Sequence, residues 1–129
     1  MDNTMALLLS DTYKQCHDRM YPNGLTKLVS YWVPRKSMLE NQNEMVFFGL
    51  QAFIKEYLMG YFQKNFFDLS EDEMLTLYTD SMDVQIGRDN YDLDKIVELH
   101  RLGYLPLEIR ALPEGTLVPM GVPCIEITN

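Results

Sequence analysis

Residues 44–62, EMVFFGLQAFIKEYLMGYF, restrict the fold more than any other stretch. Glu44, Gln51, Lys55 and Glu56 are the only strongly polar side chains in it, and Met, Val, Phe, Leu, Ile and Tyr make up most of the rest. The pattern predicts a helix over 44–62 that is apolar around most of its circumference. Such a helix is central and packed on more than one side. The stretch is short for a bilayer span and carries internal charges, so it reads as core. Gly49 then falls inside the helix, as a close-packing point and not as a phosphate cradle.

Around this helix the chain alternates between two periods. In 7–22, LLLSDTYKQCHDRMYP, Ser10 or Asp11 is placed to cap a short helix over 12–20. Leu9, Tyr13, Cys16 and Met20 form its apolar stripe, with Lys14–Asp18 and Gln15–Arg19 paired on the outer face. Tyr21-Pro22-Asn23-Gly24 ends it. Residues 25–36, LTKLVSYWVPRK, read as a strand with apolar groups on both faces, hence covered on both sides over part of its length. Pro34 ends its pairing or puts it on an edge, so Arg35 and Lys36 leave the sheet.

Ser70-Glu71-Asp72-Glu73 is a capping-box pattern that opens a helix to about Ile86, with Met74, Tyr78 and Met82 inward and Gly87 after its end. A further helix is predicted over 90–102, with Leu93, Ile96, Val97 and His100 on one face and Gly103 behind it. His100 reads as a satisfied core or rim histidine. From Leu105 the period becomes that of strands: 107–111, a Pro113-Glu114-Gly115 turn, then 116–120 and 124–128. The expected class is α+β: a short N-terminal helix and antiparallel strands, one early and three in a C-terminal meander, packed with three helices. Residues 1–129 are expected to form a single domain.

Composition excludes several functions. A net charge of −8 argues against nucleic acid or an anionic membrane as a general partner, because no basic surface could dominate the field, and leaves room for a local basic pocket for a phosphate. Cys16 and Cys124 are too few and too far apart in sequence for a disulfide framework, which fits the cytoplasm. Leu7–Leu9 is too short, and preceded by Asp2 where a basic segment would stand, for a signal peptide. No Walker loop, dinucleotide glycine fingerprint, CxxC, HExxH or GxSxG motif occurs. The acidic run of Asp68 and Glu71–Glu73 is a helix start and solvated surface, and no metal site. From the residues alone, Tyr13 reads as a core aromatic and Arg35 as a solvated residue after a strand.

Four segments in order, LLSDTYKQCHDRMYP, SYWVPRK, MVFFGLQAFIKEYL and YLPLEIRALPEGTLVPMG, resemble the N-terminal part of nicotinamide phosphoribosyltransferases. That family joins nicotinamide to phosphoribosyl pyrophosphate, giving nicotinamide mononucleotide and pyrophosphate for NAD salvage. The resemblance implies that Asp11, Tyr13 and Lys14 match its aspartate–any–tyrosine–lysine motif. The tyrosine stacks on the pyridine ring in the partner subunit of a homodimer, with the aspartate beside it. It also implies that Arg35, with Lys36 less directly, lies near the substrate phosphates, again in trans. No catalytic residue and no cofactor is expected on this chain, and magnesium accompanies phosphoribosyl pyrophosphate in the full-length enzyme. Family members are several times longer and continue into an α/β barrel. The chain is therefore expected to be a fragment, a truncated gene product or one piece of a split enzyme, inactive alone. Two alternatives stay open: the N-terminal domain of a nicotinate phosphoribosyltransferase, and a non-catalytic interaction module of the same fold.

Overall fold

The computed structural model describes residues 4–88 and 90–129; Asp2 and the side chain of Asp18, on which the expected Lys14–Asp18 pair depends, lie outside them. The chain divides into two compact units. One comprises the described part of Met1–Asn23 with Ile54–Leu105, the other Gly24–Phe53 with Pro106–Asn129.

The first unit is helical. Its core is Met5, Ala6, Phe66, Met74, Tyr78 and Met82. Helix α2 (Glu71–Gln85) supplies three of these at the predicted spacing, because Met74, Tyr78 and Met82 repeat every four residues along one face. The capping box is present in both directions: Ser70 Oγ accepts from Glu73 N–H, and the Glu73 carboxylate accepts from Ser70 N–H. Gly87 follows with φ +86°, a conformation that favours glycine.

Helix α3 (Asp94–Leu102) starts four residues later than the periodicity predicts. Asn90 is occupied elsewhere, its amide donating to Ile86 O at the end of α2, and Asp92 Oδ1 accepts from Asp94 N–H to turn the chain into α3. His100 is the satisfied histidine expected: Nε2 lies 3.0 Å from Leu69 O and the ring meets Phe66 edge-on at 5.4 Å. Arg101 grips Glu71 with two hydrogen bonds of 2.8 Å.

Two 3-10 segments, Ala6–Leu9 and Thr12–Met20, open this unit. In a 3-10 helix residues three apart line up, so the inner side of the second segment is Thr12 and Gln15 and not the stripe expected for period 3.6. Leu9, Tyr13 and Met20 are all exposed and Cys16 alone of that stripe is half-buried, which overturns the predicted apolar face. Gln15 likewise points inward and not to the outer face. Ser10 does not cap the segment, since its hydroxyl donates back to Leu7 O.

The second unit carries five strands: β1 (Val29–Trp32), β2 (Glu44–Val46), β3 (Glu108–Ala111), β4 (Leu117–Pro119) and β5 (Ile125–Thr128). All pairings are antiparallel. One sheet has the order β1-β5-β3, and β2 pairs with β4 in another. The α+β class holds, with one difference in connectivity. The three C-terminal strands do not follow one another as a meander, because β4 leaves to pair with β2 while β3 lies directly beside β5. The turn at Pro113–Gly115 is present, closed by Thr116 N–H to Pro113 O, with Gly115 at φ +90°. Phe47, Val118 and Cys124 form the core of this unit.

The central apolar helix is not observed as predicted. Residues 44–46 are β2, and helix α1 (Leu50–Phe53) starts only after Gly49, whose φ of +95° and lack of close neighbours show a turn and not a packing point. The Glu114 carboxylate accepts from Gln51 N–H at the start of α1. The following turns, Ile54–Tyr61 and Gln63–Phe67, belong to the first unit and are π-helical. No residue of Ile54–Tyr61 is buried, so the apolar circumference stands largely at the surface of this chain. Strand β1 is exposed along its length and lies on a sheet edge, against the expectation of cover on both sides. No helix among the described residues is long and apolar enough to cross a membrane.

Candidate functional site

Asp11, Tyr13 and Lys14 sit at the start of the Thr12–Met20 segment in the first unit. Polar bonds made by its inner side hold that segment. Gln15 Nε2 donates to Leu7 O at 2.8 Å and also to Ser10 Oγ. Gln15 Oε1 accepts from the hydroxyl of Tyr78, a residue buried in the core. Thr12 Oγ1 donates to Gln85 Oε1, and Cys16 Sγ faces Asn90 O at 3.8 Å. With Thr12, Gln15 and Cys16 turned in, Tyr13 is turned out and is 61% exposed. The core-aromatic reading of Tyr13 is thereby excluded for this chain.

The Tyr13 ring is nonetheless flanked. The His17 ring lies 5.4 Å away, centroid to centroid, tilted by 49°. Lys14 Nζ lies over the Tyr13 ring, 5.9 Å from its centroid, at the limit of a cation–π contact. The same amine is 3.8 Å from Asp11 Oδ2, an exposed ion pair whose contribution to stability is small. Asp11, Tyr13, Lys14 and His17 thus form one surface cluster: a flat aromatic with a charge pair and an imidazole around it. His17 was not singled out from the sequence. Its position four residues after Tyr13 was the available signal.

Arg35 and Lys36 belong to the second unit. The last β1–β5 pair is Trp32 with Ile125, and the backbone then passes Pro34, which is buried and whose carbonyl accepts from Gly121 N–H. Both basic residues leave the sheet and are exposed, as Pro34 predicts. Among the described residues neither has an ion-pair partner. Two basic side chains on a strand exit suit an anionic ligand, the guanidinium best, because its fork matches two phosphate oxygens.

The second unit holds another polar row that the sequence did not disclose. Tyr31, Glu126 and Arg110 are cross-strand neighbours on β1, β5 and β3 and line a shallow recess of about 360 Å³. A hydrogen bond to Glu126, reinforced by its charge, raises the Tyr31 phenol above its usual value of 10.0. Arg110 also donates twice to Glu108 Oε1. Glu108 takes the guanidinium and Glu126 the phenol, which makes the row a sheet-stabilising ladder. Among the described residues no three His, Cys, Asp or Glu side chains converge as a metal site would require.

The family model for the N-terminal domain of nicotinamide phosphoribosyltransferase matches residues 5–109. A protein of Acinetobacter baylyi (strain ATCC 33305 / BD413 / ADP1) named nicotinamide phosphoribosyltransferase is 39% identical over 124 residues. The match covers 92% of this chain and 25% of that protein, so the chain spans about a quarter of the relative's length. The chain belongs to the nicotinamide phosphoribosyltransferase N-terminal domain family.

Proposed function

We propose that this chain is the N-terminal domain of a nicotinamide phosphoribosyltransferase, a pentosyltransferase of NAD salvage. It gives base-stacking and phosphate-contacting residues to an active site completed by another subunit of a homodimer. The observation that carries the reading is the outward Tyr13 ring, on a segment whose polar inner side is bonded to the core. An aromatic ring left in water costs hydrophobic stabilisation unless a ligand or partner covers it. A flat pyridine is a suitable cover, because offset stacking adds to area burial. Asp11 lies beside the base, and Lys14 completes the motif. Arg35, with Lys36, holds phosphate oxygens of phosphoribosyl pyrophosphate.

Assembly with a second subunit is supported by apolar side chains at the surface of each unit. In the second, Val46 and Leu117 face each other across β2 and β4 and both are exposed, with Phe48 next to them. Contiguous apolar surface of this kind marks a contact with further protein, here proposed to include the second subunit. The two free thiols fit the cytoplasm. Magnesium is expected to arrive with phosphoribosyl pyrophosphate. Arg35 and Lys36 are few donors for a leaving pyrophosphate, which needs several preorganised ones, so the chain alone is expected to have no transferase activity.

The test is complementation. The 129-residue chain is mixed with the Acinetobacter relative lacking its matched quarter, and nicotinamide mononucleotide is measured. Activity is expected from the mixture and from neither component, and it is lost with Tyr13→Ala or Arg35→Ala. A complex that forms and turns over equally well with Tyr13→Ala contradicts the stacking role. Product from the 129-residue chain alone contradicts its dependence on the rest of the site.

A further inference from the structure

We infer that His17 is a positioning residue that fixes the plane of the Tyr13 ring. This rests on the assignment of Tyr13 as the stacking residue and goes beyond it, naming the group that orients the ring. Tyr13 is 61% exposed, so the protein core does not set its side-chain angles. An unconstrained surface tyrosine samples several rotamers, and stacking on a base must then select one. The only ring beside it among the described contacts is that of His17, at 5.4 Å and 49°. His17 is itself half-buried on the same short segment, unlike Tyr13, and can serve as the fixed member of the pair. The segment is anchored by Gln15 to Leu7 and Tyr78, which gives the imidazole a stationary base. Lys14 adds a second, weaker restraint, its amine lying over the ring while tied to Asp11. Orienting an aromatic face before the ligand arrives removes part of the ordering cost of binding.

The experiment follows the Tyr13 ring by NMR in the 129-residue chain with ring-labelled tyrosine, assembled with the Acinetobacter relative lacking its matched quarter, using nicotinamide as the probe. In the parent, Tyr13 and His17 ring protons show mutual cross-relaxation, and nicotinamide moves the Tyr13 signals saturably. His17→Ala is expected to weaken the apparent affinity by about two- to tenfold, the range of a lost ring pair. His17→Phe restores it, whereas His17→Leu, which keeps bulk without a flat ring, does not. The denaturation midpoints of the Phe and Leu variants stay equal, separating orientation from folding. Parent-like binding by His17→Ala or by His17→Leu overturns the inference and leaves the Tyr13 assignment standing. A Tyr13 ring that ignores nicotinamide in the parent overturns that assignment, and the inference with it.

Discussion

Replacing Gln15 with alanine should release the segment that carries Tyr13 while leaving the helical core intact. The side chain makes three hydrogen bonds: Nε2 to Leu7 O at 2.8 Å, Nε2 to Ser10 Oγ, and Oε1 from Tyr78 Oη at 3.1 Å. A net hydrogen bond contributes about 1 kcal/mol, and the exposed one to Ser10 less, so the expected loss is about 2 kcal/mol. Tyr78→Phe removes one of the three and should cost about 1 kcal/mol. Because the two side chains touch, the double variant should be less destabilised than the sum, with a coupling of about 1 kcal/mol. Urea denaturation gives the energies, and amide hydrogen exchange locates them. Exchange should quicken over Thr12–Met20 and stay unchanged in the middle of α2. An unchanged midpoint in Gln15→Ala, or zero coupling to Tyr78, would refute the idea that this side chain pins the segment.

Three further outcomes follow from the core and the ionised groups. Phe66 is fully buried with Phe67 at 4.9 Å and His100 at 5.4 Å, so Phe66→Ala should cost about 3–5 kcal/mol, read from the urea midpoint. Hydrogen bonds from Arg101 hold the Glu71 carboxyl below its usual 4.5, and those from Ser70 do the same for Glu73. A depressed folded value means the unfolded chain binds more protons in this range. Their contribution is therefore present above the usual carboxylate value and is lost as pH falls through the lower folded one. The urea midpoint should fall less steeply between about pH 6 and pH 3 in Glu71→Gln/Glu73→Gln than in the parent, and parallel curves would count against it. Burial pushes the Cys124 thiol up, so a thiol reagent at neutral pH should label the half-buried Cys16 first, as peptide mass mapping would show.

Helix α2 was legible because its determinants are local: a capping box within four residues, a clean 3.6 period and a glycine stop. The same holds for the Pro113–Gly115 turn and for the exit of Arg35 and Lys36 after Pro34. The failures came where the deciding partner is far away in sequence. Glu44–Val46 reads as helix by composition, but β4 lies more than seventy residues on and offers a strand edge that settles it. β4 is drawn out of the expected meander for the same reason. The segment Thr12–Met20 was read with the wrong period, since a 3-10 helix of this length is rare and its inner residues are polar ones satisfied by Tyr78 and Gln85. That error put Tyr13 in the core. The resemblance to the transferase family placed it in a binding site, and an exposed ring is the condition such a site requires. Asp11 and Lys14 were legible as a motif, whereas His17 emerged only from the ring geometry.

The most direct test of the central claim is a nicotinamide titration of the 129-residue chain assembled with the Acinetobacter relative lacking its matched quarter, read at the Tyr13 ring and repeated with Tyr13→Ala. The account predicts saturable movement of the Tyr13 signals and of the neighbouring Asp11–His17 amides, abolished by the substitution at unchanged stability. A titration that leaves these resonances still, or that proceeds equally in Tyr13→Ala, would contradict it.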